Sequence, residues 1–274
     1  MTFKQVYEEW HRYKSRLVKE STMAAYTQQA TRHILPAIGG CEITAIRKRD
    51  LQQFVDGKLD SGLGVKTVQD IMIVVKMVMR YAAEELDLPT LTTWKLYWPT
   101  SNMDASPRLE RYSPDEVKRI VRAAIEKPSP QKTGVLISIT TGLRIGEVCA
   151  LRMGDIDLSA RTLTVERTVE RIYDFQTGKT KLLVSTPKTA SSRRIVPLMS
   201  EVATLLKGYA KVSTPDYYVC TLSERMIEPR TFRNFYRKFI LEEVGIKECI
   251  KFHCSRHIIP SYSLKTKNLQ RLSA

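Results

Sequence analysis

The segment from Trp98 to Arg111 is the feature that most constrains how this chain can fold. It has little apolar periodicity, and its turn-forming residues are Pro99, Ser101, Asn102, Ser106 and Pro107. Such a composition is typical of a linker between separately folded parts. We therefore expect domains at residues 1–98 and 112–257, a linker at residues 99–111, and an aberrant or disordered tail at residues 258–274. Each domain is long enough to bury its own core.

The first domain is predicted to be helical. Apolar spacing and turn residues indicate helices at Phe3–Leu17, Thr22–Leu35, Arg49–Leu59 and Lys66–Leu86. In the last of these, the apolar residues at helical spacing are Val68, Ile71, Met72, Val75, Val78 and Met79. A Met-rich stripe of this kind is more often core than a binding surface.

The second domain is predicted to combine helices with a small sheet. Ser113, Pro114 and Glu116 form a capping box that starts a helix just after the linker. Further helices are expected at Gly134–Thr140, Ile145–Arg152 and Arg230–Val244. Short segments rich in β-branched residues predict strands at Arg161–Thr168, Lys181–Ser185 and Arg193–Leu198. The chain is therefore expected to be mainly α with a small antiparallel β-sheet.

Positive charge is concentrated in the second domain. The chain carries 44 Lys and Arg against 29 Asp and Glu, which gives a net charge of +15. Residues 1–107 hold 14 basic and 12 acidic residues, whereas residues 108–274 hold 30 and 17. A surface of this sign attracts polyanions through counterion release, so nucleic acid is the expected partner. The alternative is a basic but inert solvated surface.

Composition also argues against two other classes of protein. The longest apolar run, Ile71–Val75, is broken by Lys76, so no membrane span is expected. The first ten residues lack the pattern of a secretion signal, and we expect the protein in the cytoplasm. The five cysteines are odd in number and scattered, which favours reduced thiols over a disulfide framework.

Arg144 is the first of three basic sites in the second domain that could act on a phosphate. It follows a Thr141-Gly142 turn at the start of a predicted helix, and Glu147 lies one turn later. A guanidinium is planar, always charged and able to bind a phosphate through two hydrogen bonds. Taken alone, however, the motif is more simply explained by an ion pair between Arg144 and Glu147.

The other two sites lie nearer the C-terminus. Lys188 is at a predicted hairpin tip, where it could protonate a leaving oxygen if its pKa is lowered, although a lone hairpin lysine is usually only solvated. His253 and Arg256 are three residues apart and so share one helical face. There the histidine could act as acid or base near neutral pH while the arginine binds the phosphate.

The order of these sites resembles the phage and transposon integrase branch of the tyrosine site-specific recombinases. The motifs are Thr-Gly-Leu-Arg-Ile-Gly-Glu at residues 141–147, Pro-Lys-Thr before Ser-Ser-Arg-Arg at 187–194, and His-x-x-Arg-His at 253–257. One motif alone would be weak, whereas three in this order are specific. The helical first domain is similar to the family's SAM-like core-binding domain, so the resemblance extends over nearly all residues before about Arg256.

The resemblance implies cleavage and rejoining of double-stranded DNA through a covalent phosphotyrosine. The residues that match the family's motifs are Arg144, Lys188, His253 and Arg256, with Glu147 and His257 in support. In the family the two arginines stabilise a pentacoordinate phosphate, the lysine protonates the departing 5′ hydroxyl, and the histidine assists. Fixed cations take the place of a divalent ion, so no metal or other cofactor is expected. Members of the family assemble as tetramers on two duplexes.

The chain departs from the family pattern after His257. The family places a further histidine or tryptophan there and, several helical turns later, the nucleophilic tyrosine. The 18 residues after Arg256 contain one tyrosine, Tyr262. Six residues along a helix span only about 9 Å, and Pro260 opposes a continuous helix, so Tyr262 is a poor nucleophile. A frameshift or premature end would explain the pattern, and we expect lost activity, lower stability and poorer assembly.

Four alternatives stay open at the level of sequence. The chain could be a catalytically dead DNA-binding remnant that occupies recombination sites, or its tyrosine could come from another chain. A zinc site would have to use Cys249, His253, Cys254 and His257, which are too close in sequence to close a tetrahedron easily. A type IB topoisomerase shares the chemistry but does not explain the run at residues 141–147.

Overall fold

The computed structural model describes residues 1–99, 111–175, 177–185, 193–252 and 254. These residues fall into two units. The first contains the helices up to Glu85 together with Ile172–Lys181, and the second contains the described residues of Pro107–Arg171 and Leu182–Ala274. Most of the predicted linker lies outside the described residues.

The first unit is built on five helices, as the predicted helical domain requires. They are α1 (Phe3–Lys14), α2 (Glu20–Gln29), α3 (Leu35–Ile38), α4 (Lys48–Asp60) and α5 (Val65–Glu85). A π-helical segment, Ala30–Ile34, joins α2 to α3, and a 3-10 turn, Ile43–Ala45, precedes α4.

The apolar stripe predicted on α5 lies in the core of this unit. All six of its residues are buried, and Phe3, Val6 and Trp10 of α1 belong to the same apolar cluster. The Met-rich stripe is therefore core, as its spacing predicted. Neither α5 nor any other helix in the described part of the chain is long and apolar enough to cross a membrane.

The second predicted helix continues further than its sequence indicated. A proline normally ends a helix because it lacks an N–H and its ring clashes with a carbonyl one turn back. Here Pro36 lies inside α3, directly after the π-helical segment. The wider turns of that segment change which carbonyl the missing N–H would have faced, so the helical path reaches Ile38 and ends at Gly39.

The second unit begins with the predicted capping box. The Oγ of Ser113 accepts a hydrogen bond from the Glu116 N–H at 3.3 Å, and the Glu116 carboxylate accepts one from the Ser113 N–H at 2.7 Å. The helices of the unit are α6 (Pro114–Glu126), α7 (Pro130–Thr141), α8 (Ile145–Cys149), α9 (Ser200–Ala210) and α10 (Pro229–Lys238). A π-helical segment, Phe239–Glu243, extends α10.

The strands form two small sheets, where the sequence predicted one. They are β1 (Ile156–Asp157), β2 (Thr162–Val165), β3 (Thr168–Asp174), β4 (Lys179–Ser185) and β5 (Arg194–Pro197). The order β1-β2-β5 makes an antiparallel sheet in which Leu163 pairs with Ile156 on one side and Val196 on the other. Strands β3 and β4 form a separate pair. The predicted strand at Arg161–Thr168 contains β2 and only the first residue of β3.

Helix α7 is the centre of the second core. Its residues Val135, Leu136, Ile137 and Ile139 are each at most 2% exposed. A helix that is apolar on all sides must be surrounded by other elements, and α7 packs against α6, α8, α9 and α10. Because α7 ends at the Thr141-Gly142 turn, this buried helix sets the position of the residues that follow the turn.

Gly134 lets α7 approach its neighbours closely. A Cβ at this position would lie 2.5 Å from the buried Sγ of Cys220 and 3.1 Å from the ring of Phe232. Alanine would therefore force buried side chains apart. Gly208 in α9 has no atom within 4 Å of such a Cβ, so it provides a matched helical position without the close contact.

We expect Gly134→Ala to lower the free energy of unfolding by about 1–3 kcal/mol, the usual cost of overpacking a core. Gly208→Ala should raise it by about 0.5–1 kcal/mol, because alanine is the better residue inside a helix. Urea unfolding of both variants, followed by circular dichroism, measures the two changes. Equal effects of the same sign would contradict the packing around α7.

Candidate functional site

A sharp turn places Arg144 at the start of α8. Gly142 has a φ of 71°, a left-handed conformation that glycine adopts without steric cost, and its N–H donates to the Ser138 carbonyl at 2.9 Å. The Ser138 hydroxyl donates to the Leu143 carbonyl at 3.1 Å, and the Leu143 side chain is fully buried. The turn is thus held on both sides of residue 142, and Arg144 follows as the N-cap of α8.

Arg144 is fixed by Glu147, one helical turn later. The Arg144 N–H donates to Glu147 Oε2 at 2.8 Å, and Arg144 Nη1 donates to Glu147 Oε1 at 2.9 Å. The Glu147 side chain is 2% exposed, whereas that of Arg144 is 56% exposed. Within the residues that the structure describes, Nε and Nη2 of Arg144 make no hydrogen bond. One nitrogen of the guanidinium is therefore anchored, while its other donors are not used by the described residues.

A second arginine binds the same carboxylate from strand β5. Arg194 Nη2 donates to Glu147 Oε2 at 2.9 Å, and Arg194 Nη1 lies 3.3 Å from Glu147 Oε1. Together with Arg144, this gives four hydrogen bonds, which is the number that the lone pairs of a carboxylate can accept. Glu147 thus links the start of α8 to β5, although Arg194 lies 47 positions away from it in sequence.

These contacts determine the charge of Glu147. Burial alone would raise its pKa, but hydrogen bonds from Arg194 and Arg144 outweigh the burial, so the pKa lies below its ordinary value. Glu147 is therefore an anion at neutral pH. With two arginines on one carboxylate, the cluster retains one net positive charge, and its most exposed cation is Arg144.

Gly146 allows α8 to lie close to strand β3. A side chain at this position would collide with the carbonyl oxygen of Val169 and with the hydroxyl of Thr168. The glycine in the sequence Arg144-Ile145-Gly146-Glu147 is thus required by packing. It lets the helical turn that carries Glu147 lie against β3, while Arg194 reaches Glu147 from β5.

The arginine before Arg194 has a different partner. Arg193 Nη2 donates to Glu166 Oε1 at 2.7 Å, and the side chain of Arg193 is 65% exposed. Adjacent residues of a strand point to opposite faces, and exposure alternates along β5 accordingly. The two neighbouring arginines therefore serve two separate carboxylates.

Helix α10 presents a second basic surface. Arg230, Arg233 and Arg237 are exposed, at a spacing that puts them on one face. The opposite face carries Phe232 and Tyr236, both at most 1% exposed. No ion pair to the three arginines is present among the residues described. We call them the α10 arginines.

Of the residues singled out by sequence, the structure brings Arg144 and Glu147 together. It shows the simple ion pair between them, and it also shows the outward guanidinium edge that a phosphate would need. Lys188, His253, Arg256, His257 and Tyr262 lie outside the described residues. The two strands that flank Lys188 end at Ser185 and begin at Arg194.

Sequence reasoning missed Arg194. The Ser-Ser-Arg-Arg motif contains the residue, but nothing in a single sequence pairs it with a glutamate 47 positions earlier. One signal was available. In a strand that alternates between inward and outward residues, only one of two consecutive arginines can face the core side.

The zinc alternative is not tested by the structure. Two of its four ligands, His253 and His257, lie outside the described residues. Among the residues that are described, no group of three His, Cys, Asp or Glu is arranged to hold a metal ion. Cys249 instead has its Sγ 3.8 Å from the hydroxyl of Tyr112, which shares a 2.7 Å hydrogen bond with Tyr236.

The chain is similar in sequence to proteins described as a tyrosine recombinase and an integrase. A protein from Caldanaerobacter subterraneus subsp. tengcongensis, described as tyrosine recombinase XerC-like, is 26% identical over 239 residues, which cover 80% of this chain and 60% of the relative. The ICEBs1 integrase of Bacillus subtilis is 26% identical over 182 residues, or 65% of this chain and 46% of the relative. The chain thus spans about half to three-fifths of the length of these two relatives.

The fold has relatives among solved structures. The integrase of the Tn1549 transposon, solved in complex with transposon right end DNA, superposes with a TM-score of 0.71. The superposition covers 97% of this chain and 87% of that one at 20% sequence identity. At this identity the likeness shows a shared fold.

Two family models match the chain. Residues 2–59 match the N-terminal SAM-like domain of phage integrases, and residues 110–265 match the phage integrase family. The second match alone covers more than half of the 274 residues. The chain therefore belongs to the phage integrase family, whose members are tyrosine recombinases.

Proposed function

We propose that this chain binds double-stranded DNA at specific sites and uses Arg144 to hold the phosphate at which strands are exchanged, in the integration or excision of a mobile element. The observation that carries the proposal is the geometry of Arg144. Its guanidinium is anchored to Glu147 through Nη1, while more than half of the surface of its side chain is exposed. Such a partly fixed guanidinium is suited to a phosphate, because orienting it costs little entropy when the phosphate arrives.

The chemistry of strand exchange explains why fixed cations are needed. When a nucleophile attacks a DNA phosphate, negative charge builds up on the phosphoryl oxygens in the transition state. Donors already in position stabilise that charge without having to reorganise. We propose that two arginines of the second domain share this stabilisation. They are Arg144 and Arg256, which lies near the C-terminal end of the domain.

The remaining roles follow family resemblance. We propose that Lys188 protonates the leaving 5′ oxygen and that His253 assists proton transfer, with Glu147 and His257 in support. The covalent intermediate of the family joins a tyrosine oxygen to the 3′ phosphate, which conserves the phosphodiester energy for rejoining. In this scheme the cationic side chains do the work that a metal ion does in other nucleases.

The α10 arginines support DNA as the partner. They occupy one exposed helical face about 10 Å long, opposite a buried aromatic face. Duplex DNA carries one negative charge per about 1.7 Å of its axis. We propose that this face lies against the duplex and contributes to site selection, since a helix is the element that fits the major groove.

The relatives suggest the kind of DNA and the place of action. The similar Tn1549 integrase was solved with transposon right end DNA, and a phage lambda integrase of similar fold was solved as a tetramer on a Holliday junction. We propose that this chain recognises the ends of a comparable element in the cytoplasm and assembles with further copies of itself on that DNA.

Replacing Arg144 should weaken DNA binding. We expect Arg144→Ala to lose about tenfold in affinity for a fluorescent duplex, the usual effect of one lost charged hydrogen bond. The slope of log Kd against log salt should fall by about one, because one phosphate contact is lost. Fluorescence anisotropy across a salt series measures both.

The matched control for this experiment is Arg122→Ala. Arg122 is 81% exposed and pairs with Glu126 on α6, so the variant removes the same charge from a surface without a role in the proposal. It should bind within about twofold of the wild type. Unchanged affinity and slope in Arg144→Ala would contradict the proposed phosphate contact.

The 274-residue chain should bind DNA without forming a covalent bond to it. We propose that Tyr262, six residues after Arg256 in sequence, does not attack a phosphate that Arg256 binds. Duplexes recovered by selection from a random pool, then nicked at successive phosphates, provide suicide substrates. We expect a gel shift under native conditions and no protein–DNA adduct under denaturing conditions. An adduct that Tyr262→Phe abolishes would contradict this expectation.

A further inference from the structure

Arg194 binds the carboxylate that also anchors Arg144. We infer that Arg194 is a positioning residue for phosphate binding: it neutralises Glu147, so that this carboxylate orients Arg144 without cancelling its charge. The inference rests on the proposed phosphate contact of Arg144. It concerns the charge balance of the site, which the ion pair between Arg144 and Glu147 alone leaves unexplained.

The charge count shows why a second arginine is needed. A carboxylate that holds a single arginine forms a neutral pair, and an approaching phosphate then meets a buried negative charge beside its ligand. Glu147 lies within hydrogen-bond distance of Arg144 and is 2% exposed, so water does little to screen it. With Arg194 on the same carboxylate, the cluster keeps one positive charge for the phosphate.

The geometry assigns different tasks to the two arginines. Both Nη atoms of Arg194 face the Glu147 carboxylate, and the side chain of Arg194 is 29% exposed. Arg144 uses only Nη1 on Glu147 and is about twice as exposed. A phosphate would therefore contact Arg144, while Arg194 acts through Glu147.

The contact between Arg194 and Glu147 makes the position of strand β5 part of the site. Strand β5 pairs with β2 in fixed register, Val165 opposite Arg194. That register fixes the backbone from which Arg194 reaches Glu147.

The test uses binding of a fluorescent mixed-sequence duplex to the full chain, measured by anisotropy. We expect Arg194→Ala to lose about tenfold in affinity, as Arg144→Ala does, because the effective charge of Arg144 is lost in both. The double variant Arg144→Ala/Arg194→Ala should bind within about twofold of Arg144→Ala, since the two residues act through one contact. Additive losses would overturn the inference, because Arg194 would then touch DNA itself.

The decisive variant removes the charge that Arg194 neutralises. We expect Glu147→Gln/Arg194→Ala to recover part of the affinity that Arg194→Ala loses, because the amide oxygen can still accept a hydrogen bond from Arg144 while no buried charge opposes the phosphate. A merely structural role for Arg194 would lower the melting temperature and leave this recovery absent. Arg193→Ala is the matched control: Arg193 pairs with Glu166, so Glu147→Gln should not restore any affinity that this variant loses.

A second pair keeps the test decisive if Arg194→Ala does not fold. Glu147→Gln/Arg194→Gln leaves no buried carboxylate without a partner and is compared with Glu147→Gln alone. Equal affinity within about twofold supports the inference, because Arg194 is dispensable once the carboxylate is gone. A further loss overturns it. Normal binding by Arg144→Ala would instead refute the proposed phosphate contact, so the two failures are distinguishable.

Discussion

The carboxylate of Glu147 is the group on which the site depends. It is buried, and it accepts hydrogen bonds from the backbone and side chain of Arg144 and from the side chain of Arg194. Burying a carboxylate without partners costs free energy, and the hydrogen bonds from the two arginines offset that cost. Through these hydrogen bonds Glu147 connects the start of α8, directly after the α7 turn, to strand β5. The outward edge of Arg144 is the product of that arrangement.

The buried core and the cationic surface are two sides of the same elements. Helix α7 is enclosed by apolar neighbours and ends where Gly142 turns the chain toward Arg144. Helix α10 buries Phe232 and Tyr236 while the α10 arginines remain exposed. The packing of α7 and α10 therefore determines where Arg144 and the α10 arginines lie on the surface of the second domain. This is the arrangement that a protein needs if it must hold a polyanion without a metal ion.

Much of this was predictable from single residues and their spacing. The stripe on α5 follows the helical period and is core, and Ser113 with Glu116 forms the capping box that its spacing predicts. The Arg144–Glu147 pair also follows from sequence. The contact of Arg194 does not, because it depends on the register of β5 across a long sequence separation. The helical path through Pro36 was missed for a similar reason, since a π-helical turn overrides the local rule.

The ionisation of Glu147 can be measured directly. The pKa of this carboxyl is lowered in the folded chain, so its contribution to stability is complete above the ordinary pKa and is lost as the pH falls through the folded value. Carbon-13 NMR of the side-chain carboxyl, assigned with Glu147→Gln, follows its titration. We expect a midpoint below the ordinary value of 4.5, or no titration before the protein unfolds in acid. A midpoint at or above 4.5 would show that burial outweighs the two arginines, and it would contradict a charged carboxylate shared between them.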